Sequence, residues 1–155
     1  AREFLIAYNV NLDTQDIQIA NKISGIVRAS GVVQINENGE KVRVPGLLKC
    51  VQAMGVYLKE HNITQVSMNL LNYKATPPHM AFEEVKRQAE KFGVRVTGSE
   101  VVGLVPKEAL LAAGRFYSRE LSEKKLIVAA VKGLGLSQLS KFIAGKKVVE
   151  YVLCL

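Results

Sequence analysis

Few side chains in this sequence have the type and spacing needed for bond-making chemistry, and those few point to ligand binding. A phosphate loop, a nucleophile elbow and a His-Glu-x-x-His helix are all missing. Of the two histidines, His61 stands between Glu60 and Asn62 in an expected tight turn and reads as a surface residue. His79 follows Pro77-Pro78 in the first turn of an expected helix. There the positive end of the macrodipole disfavours imidazolium and leaves a neutral donor and acceptor available, although a water-facing helix start fits the same residues. Glu100 follows Gly98-Ser99 at the end of a largely apolar segment. A carboxylate there needs a cationic or amine partner, which either a substrate nitrogen or a lysine can supply. Cys50 and Cys154 have neither Cys-x-x-Cys spacing nor a nearby histidine pair, so free thiols and no metal site are expected.

The more informative pattern is an alternation of uncharged polar residues. Asn9 and Asn11, then Gln65, Ser67 and Asn69, then Arg95, Thr97 and Ser99 fall on one side of three predicted strands. Phe4, Ile6, Tyr8, Val10, Val66, Met68, Leu70, Val94 and Val96 fall on the other. When helices cover one face of a sheet, the second face must be polar or find a partner. Amides and hydroxyls on neighbouring strands suit either a solvated face or one aimed at a ligand or a second sheet.

The elements that position these residues follow from period and punctuation. Glu3 to Leu12 reads as a strand, and Asp13-Thr14 caps a helix carrying Ile17, Ala20, Ile23 and Val27, with Asp16 in its first turn and Gly31 beyond its end. Asn36-Glu37-Asn38-Gly39, between Val-rich flanks, predicts a hairpin or exposed loop. Leu47 to Glu60 is ambiguous, since it has a helical stripe but also Gly55 and a Val-x-Tyr pair that suit a strand. Ile63 to Leu71 is a strand. Thr76 caps a helix with Ala81, Phe82, Val85, Ala89 and Phe92 inward, Glu83 paired to Arg87 on the solvent side and Gly93 at its end. Val94 to Val102 is the next strand, followed by a helix with Leu110 and Ala113, a second capped by Ser122, and a closing strand from Lys147 to Leu153. With the ambiguous segment as a strand, the order is that of an α+β, ferredoxin-like split βαβ sandwich: a core over 1–103 and a helical extension with closing strand over 104–155. With it as a helix, the chain is an ordinary alternating α/β domain.

Composition sets outer bounds. A chain of 155 residues, 48% hydrophobic and 23% charged, suits one domain. No apolar run reaches the roughly 18 to 20 residues a membrane span needs, and the first residues do not resemble a signal peptide, so a soluble cytoplasmic protein with no membrane partner is expected. Residue 1 is alanine with a strand expected close behind it, which leaves room for a fragment of a longer polypeptide. The net charge of +7 favours polyanionic partners without choosing among them, and Lys41, Arg43, Lys49 and Lys74 are candidates by charge alone. A basic ferredoxin-like module that binds RNA is one alternative, although such modules stack bases on sheet aromatics and this outward face carries Asn, Gln and Ser.

Three separated motifs carry a resemblance. Phe4-Leu5-Ile6-Ala7-Tyr8-Asn9-Val10-Asn11-Leu12, Gln65-Val66-Ser67-Met68-Asn69-Leu70 and Gly98-Ser99-Glu100-Val101-Val102-Gly103-Leu104-Val105-Pro106 resemble the carboxy-terminal subdomain of the glutamate formiminotransferase family, with Thr76 and His79 in register. The segment from Gly31 to Gly46 is least like it. The resemblance implies transfer of a formimino group from N-formimino-L-glutamate to N5 of tetrahydrofolate as co-substrate. The folate amine attacks the amidine carbon and the glutamate amine then leaves. It also implies that Leu47 to Glu60 contains a strand, and that an amino-terminal subdomain outside this chain packs its sheet across the open face, with folate between them. A homo-oligomer is implied as well. Ligand contact by Asn9, Asn11, Gln65, Ser67, Asn69, His79 and Glu100 carries over, whereas the family's general base, a histidine of the amino-terminal subdomain, has no counterpart here. Some relatives have glutamine in place of Glu100, so that position is expected to bind or orient a substrate and no catalytic residue is assigned to this chain.

Overall fold

Alternating apolar residues drive the central strands together. In the computed structural model, which describes residues 4–154, β1 (Ile6–Leu12) buries Ile6, Tyr8, Val10 and Leu12 completely, and β5 (Ile63–Leu70) buries Val66, Met68 and Leu70 on the same side. Flanking them are β4 (Val51–Leu58) and β6 (Val96–Val102), giving an antiparallel sheet in the order β4-β5-β1-β6. Helices α1 (Ile17–Val27) and α2 (Pro78–Lys91) seal one face with Ala20, Ile23, Val27, Ala81, Phe82, Val85 and Ala89. Each large apolar side chain so buried contributes roughly 1.5–3 kcal/mol. This is the expected ferredoxin-like arrangement, with the split βαβ order intact.

The ambiguous segment is the strand β4, and Gly55 explains its mixed signal. A Cβ there would lie 2.4 Å from Asn21 Oδ1 and 2.8 Å from the Asn21 backbone nitrogen, so the missing side chain lets α1 sit directly on the strand. Asn21 Oδ1 accepts a hydrogen bond from the Gly55 N–H in return. Between α1 and β4 the polar segment forms the hairpin of β2 (Val32–Ile35) and β3 (Lys41–Val44), closed by Asn36 Oδ1 accepting from the backbone of Asn38 and Glu40.

Several local expectations need correction. Asp16, not Asp13-Thr14, caps α1, accepting from Gln18 N, while Thr14 Oγ1 accepts from Asp16 N. Thr76 is buried and donates to Lys49 O, leaving Pro77 at the cap of α2 with no side-chain bond. Arg87 pairs with Glu84, and Glu83 instead accepts from the Tyr117 hydroxyl. The faces of β6 also differ. A register shift at Asn11 and Leu12 pairs Asn11 with Gly98 and Leu12 with Val96, so Thr97 is an extra, bulged residue and the alternation slips by one. Ser99 therefore lies buried on the helical side, and Gly98 and Glu100 take the open face.

Beyond β6, α3 (Lys107–Tyr117) and α4 (Glu123–Gly133) cross closely at Gly114, where a Cβ would meet Leu126 O at 2.2 Å. Ser122 caps α4 as expected. The closing strand does not form. Residues 147–153 make a single parallel bridge, Val105 to Val148, and otherwise coil into the short helices α5 (Ala144–Lys147) and α6 (Val149–Val152). The bridge does not extend into a ladder, because Pro106 has no N–H and α3 starts at the next residue. Among the described residues, no helix is long and apolar enough to cross a membrane.

The contact between α1 and β4 is testable. Gly55→Val should destabilise the domain by about 1–3 kcal/mol through overpacking, read as a lower urea midpoint with the slope unchanged; an unshifted midpoint would show that α1 does not rest on this strand.

Candidate functional site

Strand register arranges the open face into three cross-strand rows. Gln52, Asn69, Ala7 and Val102 form the first; Met54, Ser67, Asn9 and Glu100 the second; Val56, Gln65, Asn11 and Gly98 the third. Five of the seven residues singled out in the sequence as site candidates thus share the two central strands, and the bulge adds Glu100 beside Asn9. Asn11 and Gln65 are almost wholly buried, while Asn9, Ser67, Asn69 and Glu100 are partly exposed. No aromatic side chain stands in these rows, and Tyr8, the aromatic of β1, is buried on the other side.

The polar groups form a directed chain. Glu100 Oε1 accepts from Asn9 Nδ2 at 3.2 Å and from Gln65 Nε2 at 3.0 Å. Gln65 Nε2 also donates to Asn11 Oδ1 at 2.7 Å, and Asn11 Nδ2 donates to Gln138 Oε1 at 2.7 Å. An ionised carboxylate only accepts, so Gln65 must turn its NH2 toward Glu100; Asn11 must then offer its oxygen to Gln65 and its nitrogen to Gln138. Both hydrogens of Gln65 Nε2 are used within this chain. At the far edge, Asn69 Nδ2 donates to Gln52 Oε1 at 3.2 Å.

Gln138 arrives from the segment that follows α4, and two glycines admit it. A Cβ on Gly98 would lie 2.6 Å from Gln138 Cβ and 2.7 Å from Gly135 O, and one on Gly135 would lie 2.8 Å from Gly98 Cα. Hydrogen bonds fix the crossing: Ser99 N donates to Gly135 O, and Ser99 Oγ to Leu134 O at 2.6 Å. Tyr8 OH donates to Ser99 Oγ at 2.7 Å, and burial holds this phenol well above its ordinary titration range, so it remains a neutral donor. Gly98 thus makes room for the protein's own loop.

The family model of the formiminotransferase domain matches residues 7–154. This chain belongs to that family. Formimidoyltransferase-cyclodeaminase of Gallus gallus is 43% identical over 98% of the chain and 27% of its own length, and that of Mus musculus 40% over the same shares. Glutamate formimidoyltransferase of Thermoplasma acidophilum is 41% identical over 76% of the chain and 34% of its own length. The chain thus spans about a quarter to a third of these curated relatives. The family resemblance seen in the three sequence motifs is established, and the RNA-module alternative gains nothing from it.

His79 is the formiminotransferase-domain candidate that the fold keeps apart. It opens α2 on the helical layer and stacks on Phe116, ring centroids 4.9 Å apart, beside a groove of about 600 Å³ lined also by Met80, Glu83, Glu84 and Arg87. Its Nδ1 is buried without a hydrogen-bond partner. Sequence reasoning missed Gln138 and Gln52. Gln52 carries a signal, alternation along β4, that the helical stripe obscured. Gln138 sits in irregular backbone 127 residues from Asn11, with no periodicity to mark it.

Burial lowers the His79 pKa below the ordinary 6.5, with Glu83 pulling weakly the other way. The unfolded chain therefore binds this proton more readily than the native one. The associated stability is fully present above the unfolded value and is lost as pH falls toward the depressed native one. His79→Gln should flatten the stability profile below about pH 6.5, measured as urea midpoints from about pH 7.5 to 5.5; an unaltered slope would rule out burial of His79 as its source.

Proposed function

We propose that this domain is the substrate-gripping, carboxy-terminal half of a glutamate formimidoyltransferase that moves the formimino group of N-formimino-L-glutamate to N5 of tetrahydrofolate. The observation that carries the reading is the Glu100 carboxylate, held by Asn9 and Gln65 on a sheet face that no helix among the described residues covers, in a domain of the formiminotransferase family. The name of the Thermoplasma relative supports glutamate as the carrier of the formimino group. Tetrahydrofolate, when bound, supplies the secondary amine that accepts the group.

The side chains of the open face suit such ligands. With Glu100 Oε1 committed to two amide donors, Oε2 is left to accept an N–H from a pterin or an amidine, and Ser67 and Asn9 stand next to it in the same row. Asn69 extends the face toward Gln52. Asn11, fully buried, acts on a ligand through Gln65. These groups orient two substrates, which is a large share of the barrier for a reaction between two bound molecules. None of them offers the imidazole or amine usual for proton transfer near neutrality, so that role goes to an amino-terminal subdomain packed over the face. Exposed Met54 and Val102, in the same rows, supply apolar surface for such a partner. The cytoplasmic location expected from the sequence and the self-association expected from the family belong to this reading.

In the full-length protein, Glu100→Leu should raise KM for tetrahydrofolate about tenfold or more, since it leaves two amide donors without an acceptor and removes one ligand contact. The isolated domain should show no formimino transfer until an amino-terminal subdomain is added. Transfer by the domain alone, or a full-length protein that turns over neither substrate but gives a salt-dependent gel shift with single-stranded RNA, would overturn the proposal.

A further inference from the structure

We infer that Gln138 is a positioning residue for the open-face site, acting as the terminal acceptor that satisfies the buried end of the Glu100-Gln65-Asn11 chain and so holds its amides in place. The inference rests on the formimidoyltransferase reading only for the identity of the ligand. Its geometric basis is independent of that reading.

Three observations converge on Gln138. First, the chain of amides has only one direction consistent with an acceptor-only carboxylate at Glu100, and that direction ends on a donor, Asn11 Nδ2, in a residue with no exposure to water. The bond to Gln138 Oε1 is the one given to this nitrogen. Secondly, the fold brings Gln138 there by a built route: a glycine on each side of the crossing, the Ser99 N–H and hydroxyl bonded to the backbone at Gly135 and Leu134, and Gln138 N itself donating to Gly135 O. Thirdly, Gln138 is exposed as a residue although its amide oxygen is engaged, so its side chain closes the end of the third row without filling the core.

Consider the site without this acceptor. Asn11 Nδ2 is then a buried donor without its acceptor, and the amide can recover a partner only by turning away from its bond to Gln65 Nε2. Gln65 loses the second partner that, with Glu100, fixes its orientation. The donor offered to Glu100 is then held less firmly, and with it the orientation that leaves Oε2 facing a ligand. Gln138 touches no ligand in this scheme; it acts through Asn11 and Gln65.

The test uses the full-length protein with two substitutions at this exposed position. Gln138→Met keeps the length and removes the acceptor; Gln138→Glu keeps an acceptor. For Gln138→Met, KM for tetrahydrofolate should rise about fivefold to tenfold with kcat within about twofold, and the Asn11 side-chain amide should exchange its protons faster by NMR. Gln138→Glu should restore both to near wild-type values. The inference is overturned if both variants match the wild type, if both lose affinity in step with their melting temperature, or if Gln138→Met leaves the Asn11 amide unchanged. A wild-type protein that binds no folate defeats the functional reading alone, and the Asn11 exchange rates then still decide the role of Gln138.

Discussion

A carboxylate that only accepts hydrogen bonds, set among carboxamides that both donate and accept, gives the open sheet face its direction. Asn and Gln are ambivalent, and a row of them on its own has two nearly equivalent hydrogen-bonded states related by rotating every amide. Glu100 removes that degeneracy. Its Oε1 takes Asn9 Nδ2 and Gln65 Nε2, and each later bond follows by elimination until the last donor meets Gln138. A face specified in this way presents its acceptors in one arrangement, and under the proposed function this lowers the ordering that ligand binding would demand.

That arrangement depends in turn on one extra residue in β6. Without the bulge at Thr97, strict alternation from Val96 would send Ser99 to the open face and Glu100 into the core against Tyr8 and Val101's neighbours, where an unpaired carboxylate costs several kcal/mol. With the bulge, both side chains find partners. Ser99 links the Tyr8 hydroxyl to the backbone at Leu134, and Glu100 faces the amides. The same hydroxyl bond anchors the segment that delivers Gln138, so the buried and open faces of β6 are coupled through adjacent residues.

How much of this was legible in the sequence follows from the same physics. β1 and β5 keep a strict period of two, and their faces, including Asn9, Asn11, Gln65, Ser67 and Asn69, could be read directly. β6 could not be read past its bulge, because a single inserted residue exchanges the two faces while leaving the composition unchanged. β4 was obscured because its helix-facing glycine, needed for the approach of Asn21, breaks the alternation and leaves a helical stripe as the stronger signal. In 147–153, β-branched residues suggested a strand, but a strand exists only with an edge to pair on, and Pro106 ends that edge after one bridge. Instead Glu150 accepts from Lys107 N and Tyr151 donates to Glu123, bonds that hold a helical turn against the starts of α3 and α4.

Gln138 shows why the sequence could give the middle of the site and not its end. Side chains within one strand are ordered by a repeat, and a repeat is visible locally; the partner of Asn11 is set by where an irregular segment crosses a strand far away in the chain. The traces such a crossing leaves are glycines, Gly98 and Gly135, each of which reads singly as an ordinary turn former or strand break. Their meaning appears only as a pair. The missing Cβ of each is the space occupied by the other's backbone, and the side chain that follows this close approach is the one that satisfies the buried end of the amide chain. The open face is therefore completed by the helical extension, and the core sheet and the segment after α4 form one continuous polar surface despite their separation in sequence.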